Sequence, residues 1–155
     1  MLNFILVLLM LLAPPQPAAD HFKKDAPALQ ADVDQAVSPA VYRIMQNSMA
    51  SPLEGYGVIV VLEVTLEAPP NPFSNTKTGD QLRAVVTRRQ QEIKDKISEL
   101  LKQRVLKTDS VGATESLTVV VHMLNVTRAD VPDLPTQFVI SVRKDAPTQV
   151  NIKEF

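Results

Sequence analysis

Residues 78–105 constrain the fold more than any other stretch of the chain. Leu82, Val85, Val86, Ile93, Ile97, Leu100, Leu101 and Val105 recur at helical intervals, so one face of a long helix is apolar. Thr78-Gly79-Asp80-Gln81 has the form of a capping box, with Thr78 as N-cap and Gln81 at the third helical position. Lys102 and Arg104 sit where cations suit the helix C-terminus. Burying eight such side chains contributes on the order of 12–24 kcal/mol gross, before chain entropy is counted. A helix that greasy on one side needs a sheet to lie on.

Two strands flank it. In Gly57–Glu67, Val58, Val60, Leu62, Val64 and Leu66 share one face, while Ile59, Val61, Glu63, Thr65 and Glu67 share the other. In Leu117–Val126, Leu117, Val119, Val121 and Met123 oppose Thr118, Val120, His122 and Leu124. The helix, at about 37 Å, matches the first strand, at about 36 Å. Strand, helix and strand in this order predict a β–α–β crossover. Phe138, Ile140 and Val142 alternate with polar residues to give a third strand, and Val150 and Ile152 suggest a short fourth. Upstream, Val33, Ala36, Val37, Val41, Ile44 and Met45 have helical spacing interrupted by Ser38-Pro39. This predicts a short helix or turn to 37 and a second helix over 39–49. The fold class is therefore α+β with an α/β-like crossover. The sheet is small, mixed or antiparallel, and three- to four-stranded. One long amphipathic helix and a shorter N-terminal helix lie on one of its faces.

The first 19 residues read differently. Phe4–Leu12 is apolar but too short to cross a bilayer, which takes about 20 residues. Pro14, Pro15 and Pro17 follow, then Ala18-Ala19. This is the pattern of a secretory signal peptide with cleavage before Asp20. It departs from that pattern in having no Lys or Arg ahead of the apolar run and Pro17 at the −3 position. The division expected is a signal peptide over 1–19, a flexible leader over 20–30 and one compact domain over 31–155. Export places the protein in a secreted or periplasmic compartment, with no stable membrane span once the signal is removed.

Composition narrows the function classes. The chain has no cysteine, which removes thiol nucleophiles, disulfides and cysteine-ligated metals. With 16 basic and 17 acidic residues the net charge is −1, so no field draws in nucleic acid. No nucleotide loop, zinc triad, nucleophile elbow or paired-carboxylate motif occurs. Accordingly no catalytic, cofactor-binding or metal-binding residue is assigned. Asp32 and Asp34 alternate as in a calcium loop but lack its glycine and terminal glutamate. Asn125-Val126-Thr127 matches a glycosylation sequon.

Four residues remain as contact or pocket candidates. Tyr56 lies between Gly55 and Gly57 and could shape a small pocket with Tyr42. Phe73 lies in a proline-rich 69–78 loop. His122 is the only histidine within a strand. The leading functional reading is an exported, non-catalytic protein-binding or assembly module, with self-association through a sheet edge or the Ile59/Val61 patch as one form of it. The alternatives are an enzyme or enzyme subunit with a small hydrolase-like site near His122, drawing on Tyr56 and loop acids, and a small-molecule binder with a cleft between sheet and helices.

Overall fold

The computed structural model describes residues 17–68, 77–124 and 133–155. Along the chain run α1 (Pro17–Val37), β1 (Arg43–Leu53), β2 (Gly57–Thr65), α2 (Gly79–Arg104), β3 (Ser116–Leu124), β4 (Gln137–Arg143) and β5 (Val150–Glu154), with a 3-10 turn at Val105–Lys107 closing α2. The strands form one sheet in the order β1-β2-β3-β4-β5. β2 and β3 are parallel, joined through α2, and every other pair is antiparallel.

The crossover lies where the apolar pattern puts it. Thr78 caps α2 through its side chain, which accepts from the Gln81 amide at 3.3 Å, while Gln81 Oε1 accepts from the Thr78 amide at 3.1 Å. Val86, Ile93, Ile97, Leu101 and Val105 are each at most 1% exposed. They pack against Val58, Val60, Leu62 and Val64 of β2, Leu117, Val119, Val121 and Met123 of β3, and Phe138, Ile140 and Val142 of β4. α1 adds Leu29, Val33 and Val37 to the same core and lies against β1 and α2. Among the described residues both helices thus cover one face of the sheet.

Three expectations need correction. The sheet has five strands, not three or four. The extra one is β1, which occupies the stretch expected as a helix over 39–49. Its pairing with β2 shifts register between Ile44 and Gln46 and again between Gln46 and Met49. Each shift inserts residues that break the two-residue alternation, so the apolar positions fall at helix-like intervals. Pro52 is tolerated because β1 is an edge. The leader expected to be flexible over 20–30 is the first half of α1, and the expected cleavage point before Asp20 falls in its first turn. Pro27 inside that helix removes one amide donor. Polar side chains fasten the helix instead. Asp25 Oδ2 accepts from the Ser110 amide and hydroxyl, each at 2.9 Å, and Asp32 pairs with Arg104 of α2.

Substitution of Ile97 by Asp places an uncompensated charge in the seam between α2 and the sheet, and we expect no cooperative thermal transition from that variant. Thr78→Ala removes only the cap and should lower the unfolding free energy by about 1 kcal/mol in a urea titration.

Candidate functional site

The second face of the sheet carries no helix among the described residues, and its side chains form rows set by the register. One row reads Met49, Val61, Val120, Val139, Lys153 from β1 to β5. The row on its hairpin side reads Ser51, Ile59, Thr118, Ser141, Asn151. The row on its other side reads Gln46, Glu63, His122, Gln137. Four of the five strands thus contribute an apolar side chain to the central row. Met49 is 59% exposed and Val61 36%, and Val120 and Val139 are half-buried.

The β1–β2 turn extends this apolar band. Gly55 has φ 73° and Gly57 φ 118°, both left-handed values that favour glycine. At Gly57 the backbone of β3 comes so close that a Cβ would stand 2.1 Å from the Ser116 carbonyl oxygen. The Tyr56 carbonyl accepts from the Ser116 amide at 2.9 Å, so the turn is tied to the start of β3. This swings Tyr56 over the open face, where its hydroxyl lies 3.5 Å from Thr118 Oγ1. Thr118 is only 1% exposed, whereas Tyr56 and Leu53 remain exposed.

The candidates from sequence therefore do not converge. Tyr56 and His122 share the open face. Tyr42 lies at the opposite end of β1 from the turn, where its amide donates to the Thr65 carbonyl at 2.8 Å, so it forms no pocket with Tyr56. Phe73 and the sequon at Asn125 lie outside the described residues, as does most of the 69–78 loop. His122 is half-buried with Glu63 on β2 and Gln137 on β4 as register neighbours. The acidic neighbour that the sequence did not reveal is thus Glu63.

The sheet edges differ. At the β1 bulge the Ser48 amide donates to Asp34 Oδ1 (3.0 Å), the Ser48 hydroxyl donates to the Gln30 carbonyl (2.9 Å), and Gln30 Nε2 donates to the Ser48 carbonyl (2.8 Å). This clamp occupies main-chain groups that would otherwise recruit another strand. Asp34 thereby holds the β1 bulge through Ser48, and its neighbour Asp32 pairs with Arg104. β5 is short, exposed from Asn151 onward, and charged at Lys153 and Glu154.

The outer face of α2 carries an open depression lined by Thr87, Arg88, Gln91, Glu92, Asp95 and Lys96, a mixed-charge, solvated surface. Two basic residues of α2 outside that depression have partners elsewhere in the fold. Arg89 donates to the Leu66 carbonyl, and Lys94 reaches Glu154 at 2.7 Å while lying 5.2 Å from the centre of the Phe138 ring. Gln90 was not singled out in the sequence. It is 3% exposed, and its Nε2 donates to the Pro135 carbonyl at 2.9 Å. Its position between Val86 and Ile93 in the apolar stripe was the available signal. The seam between sheet and helices, where a small-molecule cleft would lie, is filled by Val86, Ile93, Ile97 and Leu101. Among the described residues no group of three or more His, Asp or Glu could hold a metal ion, and no helix is long and apolar enough to cross a membrane.

Compared with known proteins, the chain matches no family model, no curated protein and no solved structure. The glycine pair supplies a test of how the face is built. Gly57→Ala should lower the melting temperature far more than Gly55→Ala. At Gly55 nothing lies within 4 Å of an added Cβ, so only the backbone penalty of about 1–2 kcal/mol applies. Equal effects would contradict the close β2–β3 approach.

Proposed function

We propose that this chain is an exported, non-catalytic protein-binding or assembly module that docks its partner on the open face of the sheet. One observation carries the reading. The Met49–Val61–Val120–Val139 row, with Ile59, Leu53 and Tyr56 beside it, is an apolar band crossing four strands without a covering layer among the described residues. A contiguous apolar patch rimmed by polar residues is the usual mark of a protein interface. The rim here is Gln46, Glu63, His122 and Gln137 on one side and Ser51, Ser141 and Asn151 on the other. The export element of the proposal rests on the apolar run and prolines of residues 1–19.

A second reading draws on Glu63 beside His122. A carboxylate orienting an imidazole is the core of a general-base device, and that pair would centre a hydrolase-like site. The two readings separate in one assay. The hydrolase reading requires turnover of an activated ester that His122→Gln abolishes, whereas docking requires no turnover by either protein.

Docking itself is checked in the cell of origin with a photo-crosslinking residue. Placed at Val139, it should give a discrete protein adduct, and Val61→Lys should reduce the yield about tenfold or more. Placed at Gln91, on the outer face of α2, it should give none. An adduct at Gln91 alone, or at neither position, contradicts the proposal. A reporter phosphatase active only outside the cytoplasm, fused after residue 30, should gain activity and lose it when Leu8 and Leu9 become Arg.

A further inference from the structure

We infer that the occupant of the open face is a second copy of this chain, packed sheet against sheet about a two-fold axis running along β3. The inference rests on the docking reading above and names its partner.

The open face has the area for a second copy. With strands ~4.8 Å apart and a rise of ~3.3 Å per residue, five strands over the nine residues of β3 present about 600 Å². Two such faces bury about 1,200 Å² together, the lower limit of a stable specific interface. The face is thus large enough for a weak dimer and requires nearly all of itself to be used.

The rows of the face also match one another under that axis. Rotation about β3 lays β1 over β5 and β2 over β4 of the other copy, each row meeting its own row. Val120 then faces Val120, and Val61 faces Val139. Met49 faces the aliphatic stem of Lys153, a stem that packs well on apolar surface. In the flanking rows Glu63 faces Gln137, Ser51 faces Asn151, and His122 faces its copy. The charges also sort. Among these rows the acid, Glu63, lies in the β1–β2 half and the lysine, Lys153, in the β4–β5 half. Parallel overlay therefore sets the half that holds Glu63 in each copy against the half that holds Lys153 in the other, with Arg43 one row further along β1. A two-fold axis running across the strands keeps Met49, Val61, Val120 and Val139 on their own copies but sets Lys153 against Lys153 and buries Glu63 against Ile59, so charge decides between the two axes.

Such a dimer is closed. A face-to-face contact uses the same patch on both copies and ends at two. The Gln30–Ser48–Asp34 clamp at β1 and the short, charged β5 oppose edge-to-edge growth.

The absence of native cysteine makes the test clean. Facing sheets stand about 10 Å apart, too far for a direct disulfide, so the full chain carrying Val120→Cys is treated with a short bismaleimide. Gln91→Cys serves as the control, and mass is followed by light scattering across concentration. The inference requires a mass that rises from one chain to two, covalent dimer from Val120→Cys and none from Gln91→Cys. It also requires association weakened at least tenfold by Val61→Lys with the thermal transition retained. A monomer at every concentration whose Val120→Cys thiol reacts freely with a monofunctional maleimide overturns the second copy but leaves the docking face standing. A monomer whose thiol reacts only after denaturation overturns both, because the chain itself then covers the face. A dimer that links through Gln91→Cys, or not through Val120→Cys, overturns the two-fold proposed.

Discussion

The structure depends on one-sided burial. α2 offers an apolar stripe of Val86, Ile93, Ile97, Leu101 and Val105, and the sheet offers a matching face from β2, β3 and β4. The hydrophobic effect rewards their contact in proportion to area and without directional demand. Direction comes from the polar ties. Gln90 anchors α2 to Pro135 at the approach to β4, Lys94 holds β5 through Glu154, and Lys144 donates to the Thr108 and Val111 carbonyls at 2.8 Å each. α1 has a sparser apolar face and is placed by Asp25, Gln30, Asp32 and Asp34. The core fixes that helices cover the sheet, and the ties fix where.

The bare face is the counterpart of that arrangement. Two helices cover one side of five strands, and among the described residues no third element covers the other. In β3 the alternation runs from Val119 onward, Thr118 before it being covered by Tyr56. Leu117, Val119, Val121 and Met123 are at most 4% exposed, while Val120 and His122 between them look outward. An ordinary solvated sheet face would carry polar residues at the outward positions. Here Met49, Ile59, Val61, Val120 and Val139 stand there instead, and Tyr56 is bent over them by a glycine-flanked turn. This departure motivates the docking proposal.

How much of this was legible in the sequence follows from how each signal is generated. The β2–α2–β3 unit was readable because regular elements preserve their period: the Thr78–Gln81 box, the helical stripe and both strands lie where the residue pattern puts them. β1 was misread because two register shifts destroy its alternation. The first half of α1 was misread because Pro27 and a run of polar residues disguise a helix held by tertiary hydrogen bonds. At the candidate site, the outward apolar residues of β2 and β3 were visible one strand at a time. Glu63 beside His122, Tyr56 over Thr118 and the separation of Tyr42 from Tyr56 were not, since each depends on pairing between residues distant in sequence.

The most direct test compares neighbours on β3. Val119 is fully buried beneath α2, whereas Val120 points to the open face. Thermal unfolding of Val119→Asp and Val120→Asp in dilute solution should differ sharply. The first should lose about 3 kcal/mol or more, with most of its cooperative transition. The second should stay within about 1 kcal/mol of the parent. Equal losses, or a larger loss at Val120, would mean that both faces are core, and the one-sided architecture would be wrong.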